Sequence, residues 1–211
     1  MPRALRIAYP GAVYHVRSRG NDRGDIFFDD ADRRRYLDLL CGSITVFRLK
    51  VYAYALMSNH IHIFLKTLLP NISEAMQRLN LDYSVYFNKR HGKTGHLFES
   101  RFKRKLVQED RYFLGLLRYI HLNPVKAGMV ASPEQYEWSS HRAYLGNADK
   151  VVSGSSEALF LFSDNLERAR IAYLDFIAKP VPEKEWEILD NERSGVLGDA
   201  VFRKCLKKTV V

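Results

Sequence analysis

The chain has 211 residues, of which 46% are apolar, enough to bury one core of ordinary size with a small appended subdomain, and this excludes a disordered protein. Lysine and arginine outnumber aspartate and glutamate 33 to 24, a formal charge of +9 that favours a polyanionic partner, nucleic acid or an anionic membrane surface. No apolar run approaches the about 18 residues of a membrane span, and MPRALRIAYPG at the N-terminus has no signal-like apolar stretch, so a cytoplasmic, nucleoid-associated location without a membrane partner is expected.

Taken in order, residues 12–19 (AVYHVRSR) alternate as a strand, with Val13, His15, Arg17 and Arg19 on one side and Tyr14, Val16 and Ser18 on the other. Gly20, Asn21 and Asp22 break it. Asp29 or Asp30 then offers a cap for a helix in which Tyr36, Leu37, Leu40, Ile44 and Phe47 recur at helical spacing. Two strand-like runs follow, residues 50–57 and 60–67, joined by a tight turn at Ser58 and Asn59. The second begins with His60-Ile61-His62. Alternation puts the two imidazoles on one face and Ile61 and Ile63 on the other, so the polar face is either a pair of metal ligands or a solvated strand surface. Asn71 and Ser73 are candidate caps for a helix through Met76, Leu79 and Tyr83, with Glu74 placed to close a capping box.

Residues 96–107 (HLFESRFKRKLV) mix Phe98 and Phe102 with Arg101, Lys103, Arg104 and Lys105. Bases stack on aromatic rings while cations neutralise phosphates, so the run suits a single-strand track, and equally a strand with one solvated face. Asp110 is placed to cap the next helix, which Pro124 should stop at Asn123 because proline disfavours the α conformation in the residue before it. Trp138, Ser139 and Tyr144 suggest one short docked helix, and residues 147–156 a loop. Ser163 is placed to cap a helix over NLERARIAYLDFI, and two amphipathic pieces, residues 183–191 and 197–208, close the chain. The two cysteines, Cys41 and Cys205, lie in separate helical patterns, which argues against a disulfide framework.

On the helix after Asp110, Tyr119 and Asn123 are one turn apart and share a face, while Leu117 and Ile120 take other angles. A tyrosine beside an amide, near a two-histidine strand, suggests a nucleophile and a third metal ligand for phosphoryl transfer; the competing reading is a packed tyrosine and an ordinary helix C-terminal asparagine. A covalent phosphotyrosine conserves the phosphodiester for rejoining, whereas attack by water would end in hydrolysis.

The segments VYHVRSRGNDR, AYALMSNHIHIFL, LFESRFKRK and LRYIHLNPVKAGMV, in this order over about residues 10–145, resemble the REP-associated tyrosine transposases, relatives of the single-tyrosine HUH (histidine, hydrophobic, histidine) transposases. The resemblance implies an α+β fold: a ferredoxin-like antiparallel sheet flanked by helices (residues 1–146), followed by a helical C-terminal extension (147–211) matched only loosely. It implies that His60, His62 and Asn123 hold Mg²⁺ or Mn²⁺ and that Tyr119 attacks single-stranded DNA, leaving a 5′-phosphotyrosine and a free 3′-OH. The implied partner is single-stranded and hairpin DNA of the repetitive extragenic palindrome type, acted on by a monomer or a homodimer. Arg17, Arg19, Arg101, Lys103, Arg104 and Lys105 are the candidate DNA contacts. A basic module that holds hairpins without cutting, and a metal-dependent nuclease that uses water, are the alternatives; the C-terminal tail shows no catalytic constellation.

Overall fold

A computed structural model describes residues 7–191 and 195–209; the first six residues of the basic lead-in lie outside them. The order is β1 (Val13–Arg19), α1 (Asp30–Phe47), β2 (Leu49–Leu56), β3 (His60–Thr67), α2 (Ile72–His91), β4 (Lys103–Val107) and α3 (Glu109–Lys126). Then come α4 (His141–Tyr144), α5 (Ser155–Leu159), α6 (Leu166–Ala178), α7 (Glu183–Asp190), β5 (Val196–Leu197) and α8 (Ala200–Thr209). The sheet runs β2-β3-β1-β4-β5, and its first four strands are antiparallel in the order of a ferredoxin-like βαββαβ unit. The two-residue β5 adds to β4 in parallel, an unforeseen extension drawn from the C-terminal tail.

Strand alternation divides the molecule into two cores. Tyr14, Val16, Leu56, Ile61, Ile63, Leu65 and Leu106 face α1 and α2, whereas Val13, Ala55, Phe64 and Val107 face α3 and the tail helices. In β2 the pairing slips between Val51 and Ala53, a bulge that lets adjacent Tyr52 and Ala53 both join the second core. Tyr52 packs closely on the Gly154 backbone, where an added Cβ would come within 2.3 Å of the ring.

Caps explain where the helices begin, and several differ from expectation. Asp29 caps α1 by accepting from Asp32 N at 3.1 Å, while buried Asp32 accepts from Phe28 N at 2.9 Å, a reciprocal pair of the capping-box type. Arg90 and His91 at the end of α2 both bind Asp32, so one carboxylate fixes the two helices against each other. The expected box at α2 does not form: Asn71 is the N-cap by backbone only, and its amide Nδ2 donates to Phe47 O. At α6 the cap is Asn165, accepting from Arg168 N at 3.0 Å, and Ser163 instead accepts from Asn165 N. α3 starts at Glu109, capped by Gln108 without a side-chain bond, and Asp110 lies inside its first turn.

α3 also runs through Pro124 to Lys126. The expected stop fails because Asn123 donates its side-chain Nδ2 to Tyr119 O at 2.7 Å, supporting the turn where proline removes an N–H, and Pro124 is buried in packing. The helix closes one turn later, with Ala127 N on Asn123 O and Gly128 at φ +68°.

Behind α3, a buried polar chain ties in the tail. His121 Nε2 meets Ser140 Oγ at 2.7 Å, Tyr173 OH bridges His121 Nδ1 and His141 Nδ1, and His141 Nε2 reaches Glu134. Burial lowers the pKa of both histidines, most strongly His121, which the neighbouring His141 lowers further. The unfolded chain therefore binds protons that the fold does not, and stability is full above the ordinary histidine pKa and falls as pH drops below about 6.5. The urea midpoint should fall from pH 7 to pH 5.5, with His121 contributing about 1.4 kcal/mol per pH unit below that point. A midpoint independent of pH in this range would contradict it.

Candidate active site

β1, β3 and β4 bring a row of polar side chains to the face of the sheet beneath α3. Arg17 pairs across the sheet with His62 on one side and Lys103 on the other, Arg19 lies opposite His60, and His15 opposite Lys105. His62 is buried. Its Nδ1 lies 2.8 Å from His15 Nε2, the two rings stack at 5.1 Å, and its Nε2 is buried without a hydrogen-bond partner. Burial, reinforced by nearby cations, holds both imidazoles well below the ordinary histidine pKa, so each is neutral, with one ring nitrogen protonated and the other a lone-pair donor. His60, half-buried next along β3, has its ring 5.0 Å from that of His62, and its Nδ1 meets Asn59 Oδ1 at 2.7 Å.

α3 lays Tyr119 across this row, with its ring edge-on to His62 at 5.6 Å and to His15 at 5.8 Å. His60, Arg17, Tyr119, Asn123 and Lys126 line one pocket of about 310 Å³. The two-histidine strand and the tyrosine helix therefore do meet. The rings of His62, His15 and Tyr119 contact one another in a triangle, and His62 faces α3, away from the core under α1 and α2.

Among the described residues no three histidine, cysteine or acidic side chains are grouped as a metal site. What is available is the orphaned Nε2 of His62, the imidazole of His60 and, since its Nδ2 is spent on Tyr119 O, the oxygen of the Asn123 amide. Two nitrogens and one oxygen fit a divalent ion that draws its remaining ligands from phosphate and water.

The cationic run does not form a single track, because alternation separates its members. Lys103 and Lys105 share the face of Arg17 and Arg19. Arg104 points the other way, over the Tyr14 ring at 5.3 Å, and Arg101 precedes β4 and lines a separate groove with Asn80, Ser84 and Phe98 of about 920 Å³.

The tail supplies a contact that the sequence reading missed. The Tyr119 hydroxyl donates to Asp190 Oδ1 at 2.9 Å, Arg17 Nη1 lies 3.4 Å from the same oxygen, and the Lys105 ammonium donates to Leu189 O. Burial, and then the negative charge of Asp190, push the Tyr119 phenol well above its ordinary pKa. α7 is held there by Trp186, whose ring lies 5.1 Å from that of Tyr119, and by paired bonds from Arg118 Nη2 to Glu185 at 2.8 and 2.9 Å. The signal for Asp190 was weak in the sequence, since only the buried stripe of Trp186 and Leu189 on α7 orients it and its partner is 71 residues away.

Residues 8–123 match the model of the family described as "Transposase IS200 like", which covers more than half of the chain. No curated protein matches this chain. Among solved structures, one described as a REP-associated tyrosine transposase bound to a REP hairpin superposes with a TM-score of 0.58 at 16% identity, covering 73% of this chain and 92% of that one. The fold is thus shared with that protein.

Proposed function

Because the chain belongs to the IS200-like transposase family, we propose that it is a metal-dependent single-strand DNA nicking and joining enzyme acting through a 5′-phosphotyrosine on Tyr119. The observation that carries the reading is the meeting of His60 and Tyr119 in one pocket, with the unpartnered Nε2 of His62 beside them. A tyrosine used only for packing would not require two imidazoles and an amide at its side.

In this reading Tyr119 is the nucleophile, and His60, His62 and Asn123 hold Mg²⁺ or Mn²⁺. The ion, when bound, supplies positive charge that stabilises the phosphate in its transition state. Arg17 and Lys103, neighbours across β1 and β4, would receive phosphate oxygens of the strand, with Arg19 extending this row, whereas Lys105 is buried with its ammonium on Leu189 O and would not reach the DNA. Arg101 and Arg104, off this face, would serve only more distant parts of the DNA. The REP hairpin bound to the structural neighbour and the formal charge of +9 support hairpin DNA as the partner, and nicking through Tyr119 would act on a single-stranded flank of it. A cytoplasmic, nucleoid-associated enzyme follows from that substrate.

The test is incubation with Mn²⁺ and end-labelled hairpin oligonucleotides carrying single-stranded flanks, drawn from the protein's own genomic neighbourhood. Strand scission and a protein–DNA adduct that survives denaturing electrophoresis are expected, both lost with chelator and restored by Mn²⁺. Hairpin binding without scission would reduce the protein to a binding module. Scission leaving a free 5′-phosphate and no adduct would make it a water-using nuclease.

A further inference from the structure

The reading of two histidines, a tyrosine and an amide leaves Asp190 without a role, although its carboxylate touches the proposed nucleophile. We propose that Asp190, delivered by the C-terminal extension, is the general base for Tyr119, an inference that rests on the phosphotyrosine reading. The Tyr119 oxygen and Asp190 Oδ1 are 2.9 Å apart, within the reach that proton transfer requires. A phenol at neutral pH carries its proton, so the attack needs an acceptor placed at the oxygen.

The surroundings of the carboxylate suit this role. Arg17 Nη1 lies 3.4 Å from the same Asp190 oxygen, and the Lys105 ammonium on Leu189 O fixes the end of α7, so the carboxylate is positioned from two neighbouring strands. The side chain is 63% exposed, so one edge meets the tyrosine while the other opens to water, which can carry the proton away. Carboxylates are weaker bases than phenolates, so the transfer is coupled to bond formation, which acidifies the phenol as its oxygen approaches phosphorus.

The step balances as follows. The Tyr119 O–H bond breaks and the proton passes to an Asp190 oxygen; the Tyr119 oxygen bonds to phosphorus. The bond from phosphorus to the 3′ oxygen breaks, and that oxygen leaves with its electron pair and takes a proton from solvent as the 3′-OH. On rejoining, the 3′-OH gives its proton to solvent and its oxygen attacks phosphorus. The tyrosyl ester breaks and protonated Asp190 returns a proton to the phenolate.

Single-turnover adduct formation with the full chain, Mn²⁺ and a labelled hairpin with a single-stranded flank tests this. Asp190→Asn should slow the adduct about 100-fold, the lower end of general-base effects, with hairpin affinity and urea midpoint close to wild type. Its rate should rise with pH where the wild-type rate is level, and Asp190→Glu should recover part of the loss. In Asp190→Ala, added formate should restore the adduct in proportion to its concentration, since the vacated position is open to solvent. An Asp190→Asn adduct at or above the wild-type rate would show a carboxylate that only locks the hydroxyl, and would overturn the proposal. So would a slow variant whose pH profile parallels wild type and whose alanine counterpart ignores formate. Absence of adduct from the wild-type protein itself overturns the phosphotyrosine reading, which separates the two failures.

Discussion

Tyr119→Phe should yield no detectable covalent DNA adduct under conditions where the wild-type protein is trapped on its substrate, while hairpin affinity stays within about twofold. The substitution removes one atom. The phenyl ring keeps the edge contacts to His15 and His62 and the packing against Trp186, so the pocket keeps its shape. The loss is the hydroxyl's bond to Asp190, with a net cost to stability of about 1 kcal/mol, small enough to leave the protein folded. The effect on chemistry has no such limit, because phenylalanine has no oxygen with which to form the ester. Filter binding and denaturing electrophoresis on the same samples separate the two effects. An undiminished adduct would remove Tyr119 from the reaction and send the search to other hydroxyls.

How much of this arrangement was legible in the sequence depended on range. β3 could be read closely, because alternation over HIHIFLKT assigns each side chain to a face with no knowledge of its partner, and it put His60 and His62 on the side where α3 lies. The pairing of Tyr119 with Asn123 was equally local. Errors came where a local rule met a competing partner. Pro124 should have ended α3, but the Asn123 side chain and burial of the proline carry the helix one turn further. Asn71 and Ser163 have side chains able to cap, but Asn71 was drawn to Phe47 O and Ser163 to Asn165 N. Of the two readings of the cationic run, the single track does not form, because the alternation that sorts β1 and β3 also puts Arg104 on the opposite face from Lys103 and Lys105. β5 and Asp190 were beyond reach for another reason. Two residues carry no periodicity, and a carboxylate on α7 acquires its meaning only when the sheet and α3 bring Tyr119 beside it.

The second large effect is expected at His62. Its two ring nitrogens have separate tasks: Nδ1 faces His15, and Nε2 is the buried atom left without a partner. For Nε2 to present a lone pair to a cation, the proton must sit on Nδ1 and point at His15 Nε2, which must then be an acceptor. Burial, which disfavours the charged form of His15, keeps that acceptor available. The His15–His62 contact is thus an orienting bond of the kind that fixes the tautomer of a metal-ligating imidazole. It gives two graded expectations in a direct Mn²⁺ binding measurement by electron paramagnetic resonance, with no DNA present. His62→Ala should abolish saturable binding in the millimolar range and with it the adduct. His15→Phe, which keeps a ring in the stack but cannot accept a proton, should weaken Mn²⁺ binding about 10-fold to 100-fold without abolishing it. An equal and complete loss in both variants would point to collapse of the pocket, which the urea midpoint of each would report. Mn²⁺ binding unchanged in His62→Ala would refute the ligand assignment and leave the orphaned nitrogen unexplained.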